Sequence, residues 1–149
     1  MMSDWIYCGL IVDVEMYNQY IQQGFIGFVY CITDPDGKKY IGKKLWVTKR
    51  KLPPLKGKTR KRTKVVETDW RTYWGSGEAI HLLLSKYDPS DFKREILHLC
   101  KTKGQLSYLE LVEQMDRRVL EKPDEYHNGI IQCKIHRNHV KKVFTNKEL

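Results

Sequence analysis

Two tyrosines, Tyr30 and Tyr40, stand ten residues apart on either side of the turn-like stretch Asp34-Pro35-Asp36-Gly37. A phenol has an ordinary pKa of about 10 and is a poor base at neutral pH, but neighbouring cations favour the phenolate. Lys43, Lys44 and Arg50 follow closely behind Tyr40. Paired phenols beside such cations are candidate acid–base groups, provided both rings share one face of a sheet. The turn decides this. A two-residue loop would pair Thr33 with Lys38 and set Tyr40 opposite Cys31, on the other face from Tyr30. A three-residue bulged loop pairs Asp34 with Lys38, Ile32 with Tyr40 and Tyr30 with Gly42, which puts both rings on one face. Pro35 suits the second position of a type I turn, and Gly37 tolerates the left-handed position of the bulge, so the second register is favoured. Gly42 then leaves open space over the Tyr30 ring.

The elements that must hold these groups follow from pattern. Asp13 to Gln23 reads as a short helix ended by Gly24. Phe28 to Thr33, β-branched and aromatic, reads as a central strand, with Lys38 to Gly42 as its return. Lys44 to Lys51 is expected to be helical, ended by Pro53-Pro54. Residues 51–66 form a basic insert. Asp69 to Ser76 is aromatic and turn-rich. Ser76 or Gly77 caps a helix running to Tyr87, and Phe92 to Cys100 is a third strand. Leu109, Val112, Met115, Val119 and Leu120 recur at helical spacing, and Ser107 to Glu110 fits a capping box at the start of that helix. The fold class expected is α+β, a small three-stranded antiparallel sheet flanked by helices. Residues 1–24 are an N-terminal extension packed on a domain of residues 25–149.

The charge balance is +9, from 27 Lys+Arg against 18 Asp+Glu. Such an excess points to a polyanionic partner, nucleic acid above all. There is no apolar run of the roughly 18 residues that a membrane span needs. Asp4 stands where a signal peptide carries positive charge, so a cytoplasmic protein is expected, in the host if a phage encodes it. The four cysteines, Cys8, Cys31, Cys100 and Cys133, have no CxxC spacing and read as free thiols.

Phe28-Val29-Tyr30 followed by Tyr40-Ile41-Gly42 resembles the paired tripeptides of the GIY-YIG nuclease family, from about Gly27 to Asn128. The first tripeptide has Phe28 and Val29 where the family has Gly and Ile; the second matches fully. The chain is most similar to small stand-alone phage endonucleases of homing type. The resemblance implies a Mg²⁺-dependent DNA endonuclease, with one tyrosine activating water, Arg50 on the first helix clamping the scissile phosphate, Lys43 beside it, and Glu110 holding one divalent metal. Asn128, within Tyr126-His127-Asn128, matches a family asparagine. Lys44, Lys56, Lys58, Arg60, Lys61, Arg62 and Lys64, with Trp74 and Ser76, are candidate DNA contacts. A monomer or weak dimer is expected, which could pair on DNA.

Several alternatives stay open on sequence grounds. Glu113, one turn beyond Glu110, rivals it as metal ligand. Trp70, Tyr73 and Trp74 could stack on bases or pack under the basic loop. Cys133, His136 and His139, with Cys100 as a distant fourth, could hold zinc, although structural zinc usually has wider histidine spacing; alternatively His136 and His139 belong to a phosphate-facing basic segment with Arg137, Lys141 and Lys142. A non-catalytic nucleic-acid-binding module on the same scaffold is the alternative function.

Overall fold

The structure, a computed structural model, is described for residues 4–140. It opens with a tight hairpin of β1 (Trp5–Tyr7) and β2 (Leu10–Ile11), turned through Cys8 and Gly9, both at positive φ. Helix α1 (Val14–Gln22) is started by Asp13, whose carboxylate accepts from the Met16 N–H at 2.8 Å. Strands β3 (Gly27–Thr33) and β4 (Lys39–Leu45) form the central hairpin, and β5 (Val47–Leu52) and β6 (Arg62–Glu67) a second one. Helix α2 (Glu78–Leu84), strand β7 (Lys93–Cys100) and helix α3 (Lys103–Asp116) complete the main elements.

The principal sheet has the order β2-β1-β7-β3-β4, and β5-β6 is a separate two-stranded ribbon. The α+β class and the three antiparallel strands β4, β3 and β7 are as expected. The sheet is nevertheless mixed and five-stranded, because β1 joins β7 in parallel. Residues 5–11 thus enter the sheet, and Trp5 sits in the core against Phe28 at 5.0 Å between ring centroids. Strands this short carry no readable alternation.

Strand β3 is apolar on both sides because both of its faces are covered. Phe28, Tyr30 and Ile32 face an aromatic cluster with Trp5, Trp46, Trp70 and Tyr17. Val29 and Cys31 face the other way, onto Ile41 of β4 and onto Leu106 and Leu109 of α3. The central turn takes the bulged register. Gly37 has φ +89°, its N–H donates to Asp34 O at 3.0 Å, and Asp34 N–H donates to Lys38 O at 2.8 Å. Tyr30 is therefore opposite Gly42, and Ile32 opposite Tyr40.

Three expectations are corrected. The segment Lys44 to Lys51 is not helical: after Trp46 it forms β5, paired residue for residue with β6 from Val47↔Glu67 to Leu52↔Arg62. Good helix formers abound there, but the stretch has no helical apolar stripe, whereas Val65 and Val66 supply a β-forming partner. Helix α3 starts at Lys103, where the Thr102 hydroxyl accepts from the Gln105 N–H at 3.1 Å. Ser107 and Glu110 lie inside the helix and form no capping box. Helix α2 likewise stops at Leu84, short of Tyr87.

Candidate active site

Strand β4 is the outer strand of the sheet, so its outward N–H and C=O groups need partners. Residues 125–128 run beside it and supply them. Lys39 N–H donates to Glu125 O at 2.9 Å, and His127 N–H to Lys39 O at 2.7 Å. Asn128 finishes the strap: its Oδ1 accepts from Ile41 N–H at 3.0 Å and its Nδ2 donates to Ile41 O at 2.8 Å. Gln114 of α3 donates to the same carbonyl at 3.3 Å. A solvent-open cavity of about 340 Å³ lies along this edge, lined by Tyr40, Ser76, Gly77, Glu110, Gln114 and Asn128 among others.

Tyr40 reaches the cavity through a slot between glycines. A Cβ on Gly77 would lie 3.1 Å from the Tyr40 ring, and one on Gly75 would lie 3.3 Å from it. Gly75 also holds φ +84°, which side chains other than glycine rarely adopt. The Tyr40 hydroxyl meets Ser76 Oγ at 3.2 Å, and His81 Nε2 pins this loop at 2.7 Å from Gly75 O. Tyr30 lies beneath, its ring centroid 6.3 Å from that of Tyr40, and is 1% exposed. Burial pushes the Tyr30 phenol well above its ordinary pKa, and the neighbouring Tyr73 and Tyr40 hydroxyls add to this. The two rings share a face, but only Tyr40 opens to solvent, so Tyr30 is a packed support and not a phenolate at neutral pH.

Glu110 enters from α3. Burial raises its carboxyl pKa, partly offset by the Lys43 ammonium. Lys43 itself donates to Ser107 Oγ at 2.7 Å, one helical turn before Glu110. Glu113 is committed elsewhere: it accepts from His98 Nε2 at 2.7 Å and from Arg117 Nε at 3.0 Å. The His98 hydrogen bond, with Arg117, holds its carboxyl down to about 2. Of the two acids, Glu110 is the one carboxylate lining the cavity among the described residues.

A family model described as "Putative endonuclease segE, GIY-YIG domain" matches residues 10–131. The chain belongs to the GIY-YIG endonuclease family. It is thus an endonuclease, a phosphodiester hydrolase whose substrate class is DNA. No curated protein and no solved structure matches it.

Within this GIY-YIG domain the expected residues divide. Tyr40, Glu110, Ser76 and Asn128 converge on the cavity, with Lys43 next to them and Tyr30 underneath. Arg50 does not join them. It is exposed on β5, opposite Lys64, because a ribbon stands where the family arrangement implies a helix. Asn128 is 8% exposed and its amide is held by Ile41, so it shapes the cavity wall and is not a DNA contact. Trp74 is also excluded as a stacking platform: it is buried against Phe92, with the Arg94 guanidinium 4.4 Å from its ring centroid. Lys44 pairs with Asp69 and lies 4.1 Å from the Tyr73 ring centroid. Lys56, Lys58, Arg60, Lys61, Arg62 and Lys64 are all exposed, on β6 and the loop before it.

Zinc finds no set of ligands among the described residues, none of which form a group of three or more His, Cys, Asp or Glu. Cys100 is buried, and Cys133 Sγ lies 3.7 Å from Ser107 O. Lys141 and Lys142 lie outside the described residues. No helix of the described residues is long and apolar enough to cross a membrane. Sequence reasoning missed Gln114, Gly75 and Gly77 as parts of the site. The Gly75-Ser76-Gly77 spacing was the one signal that could have pointed to a slot for a ring.

Proposed function

We propose that this domain is a Mg²⁺-dependent DNA endonuclease of the phage homing or DNA-degrading type, with Tyr40 and Glu110 as its central catalytic pair. The observation that carries the reading is their convergence on one open cavity from a strand and a helix 70 residues apart in sequence. Mg²⁺ binds through one or two carboxylates and keeps several waters and substrate phosphate oxygens. A single half-buried carboxylate, whose burial disfavours its own charge, beside the Tyr40 and Ser76 hydroxyls fits that cation. Glu110 would hold it. When bound, the metal supplies charge stabilisation for the phosphoryl group and the leaving oxygen.

The chain's own residues do the rest. Tyr40, as its phenolate, orients the attacking water and accepts its proton as the new P–O bond forms and the bond to the leaving sugar oxygen breaks, that oxygen taking a proton from solvent. Ser76, at 3.2 Å, fixes where that phenol oxygen points. Lys43 offers a positive charge to the phosphate. Tyr30 and Asn128 act through position, one beneath the reactive ring and one on the backbone of Ile41. The exposed cations of the β5–β6 ribbon supply affinity that is independent of base sequence.

Nicking of supercoiled plasmid in Mg²⁺ tests the reading. Glu110→Gln should slow cleavage by at least about 10³-fold, and Tyr40→Phe by about 10²-fold, while DNA binding persists. Tyr30→Phe should stay within about tenfold of wild type, since only a buried hydroxyl is lost. Wild-type cleavage by Glu110→Gln would refute the assignment. Tight, salt-dependent binding without cleavage in any divalent metal would instead select the non-catalytic module.

A further inference from the structure

Two cavities that share wall residues form one furrow. One, of about 520 Å³, is lined by Lys43, Lys44, Lys103 and Ser107 among others. The other, of about 620 Å³, adds Lys49 and Lys101 over an apolar floor that includes Phe25 and Val47. They share Leu45, Thr48 and Lys103. The furrow therefore runs between the base of the ribbon and the start of α3, past five lysines, and among the described residues no acidic side chain lines it. Lys44 is paired with Asp69 on its rim, and Lys101 lies 5.2 Å from the Phe25 ring centroid.

Its near end reaches the cleavage site. Ser107 lines the furrow, bonds Lys43, and stands three residues before Glu110 on α3. From Lys103 to Glu110 the helix rises by about 10 Å at 1.5 Å per residue. The Thr102-capped end of a 14-residue helix adds partial positive charge where the furrow widens.

We infer that this furrow is the track of one DNA strand, whose phosphates run from Glu110 past Lys43 to Lys103, Lys101 and Lys49. The idea rests on the nuclease reading above and adds to it a docking surface that continues from the base of the ribbon onto the start of α3. Lys101 and Lys103 become phosphate contacts, and the duplex lies across the α3 start, held from two sides, with the ribbon as the second.

The experiment measures binding of the full chain to a 30-base-pair duplex by fluorescence anisotropy in EDTA, across a salt series. Loss of two phosphate contacts lowers the slope of log K against log salt by about 1.8. With affinity at 1 M salt unchanged, that is about a thirty-fold loss at 0.15 M for the double variant Lys101→Gln, Lys103→Gln. Lys101→Arg with Lys103→Arg should keep the wild-type slope. An unchanged slope in the Gln pair overturns the track. So does an equal loss in the Arg pair, since packing and not charge would then be responsible. Neither result touches the nuclease reading, which fails separately if the wild-type protein cuts no DNA in Mg²⁺.

Discussion

The β4 edge and the β5–β6 ribbon are separated by one residue, Trp46, yet they are built on opposite principles. At the edge every group is fixed by another. Asn128 and Gln114 hold Ile41, Gly42 admits Tyr30, and Gly75 and Gly77 flank Tyr40. In the ribbon, Thr48 to Lys51 are all exposed, and the pairing of strands rather than side-chain packing holds them. A site that must place atoms to a fraction of an ångström needs the first construction. A surface that must only carry charge along a polyanion can use the second. The contrast predicts that single changes at the edge act sharply and those in the ribbon weakly.

The largest effect is expected at Gly42. A Cβ there would lie 2.5 Å from Tyr30 Cζ, and the neighbour is a rigid ring fully enclosed by the core. Gly42→Ala should destabilise by about 3 kcal/mol, near the upper end for overpacking, and lower the melting temperature by roughly 10 °C. Adding Tyr30→Phe should not restore it, because the ring carbon remains. Calorimetry or circular dichroism on the two variants and the wild type decides this; a Gly42→Ala protein as stable as wild type would mean that the edge is softer than its packing implies.

This half of the molecule was also the half legible in sequence. The pairing of Tyr30 with Gly42 followed from one turn residue, Gly37, since a one-residue slip would move Tyr40 to the other face. The ribbon was illegible because its partner strands are separated by nine residues of loop and its lysines and arginines suit a helix equally well. Arg50 went astray with it. Glu110 and Glu113 could not be separated either, because the distinction lies on another element: His98 of β7 reaches Glu113 and not Glu110. The short strands β1 and β2 were missed for lack of length, and the role of Asn128 because its partner, Ile41, is 87 residues away.

The next effect is one turn further along α3. Glu113 has a folded-state pKa of about 2, depressed from 4.5 by His98 and Arg117. Such a group stabilises the fold above about pH 4.5, and the contribution is lost as pH falls toward 2. With its side chain 20% exposed, the contribution at pH 7 should be on the order of 2 kcal/mol. Glu113→Gln should show that deficit in urea unfolding at pH 7 and converge with wild type near pH 2, without losing the metal-dependent step. A cleavage defect as deep as that of Glu110→Gln would return Glu113 to the catalytic set.

The smallest change tests the ribbon itself. Arg50 lies outside the cavity, two residues beyond Thr48, which lines both parts of the lysine furrow. If it acts only as one more phosphate contact, Arg50→Ala removes about 0.9 from the salt slope, which is about a fivefold loss of affinity at 0.15 M salt. Cleavage at saturating DNA should then be unchanged, and Lys49→Ala or Lys51→Ala should behave alike. A deep loss of cleavage at saturation, confined to Arg50, would break the comparison. It would mean that DNA draws the ribbon over the edge and brings a guanidinium fork to the scissile phosphate, so that the loosely held region becomes part of the site only in the complex.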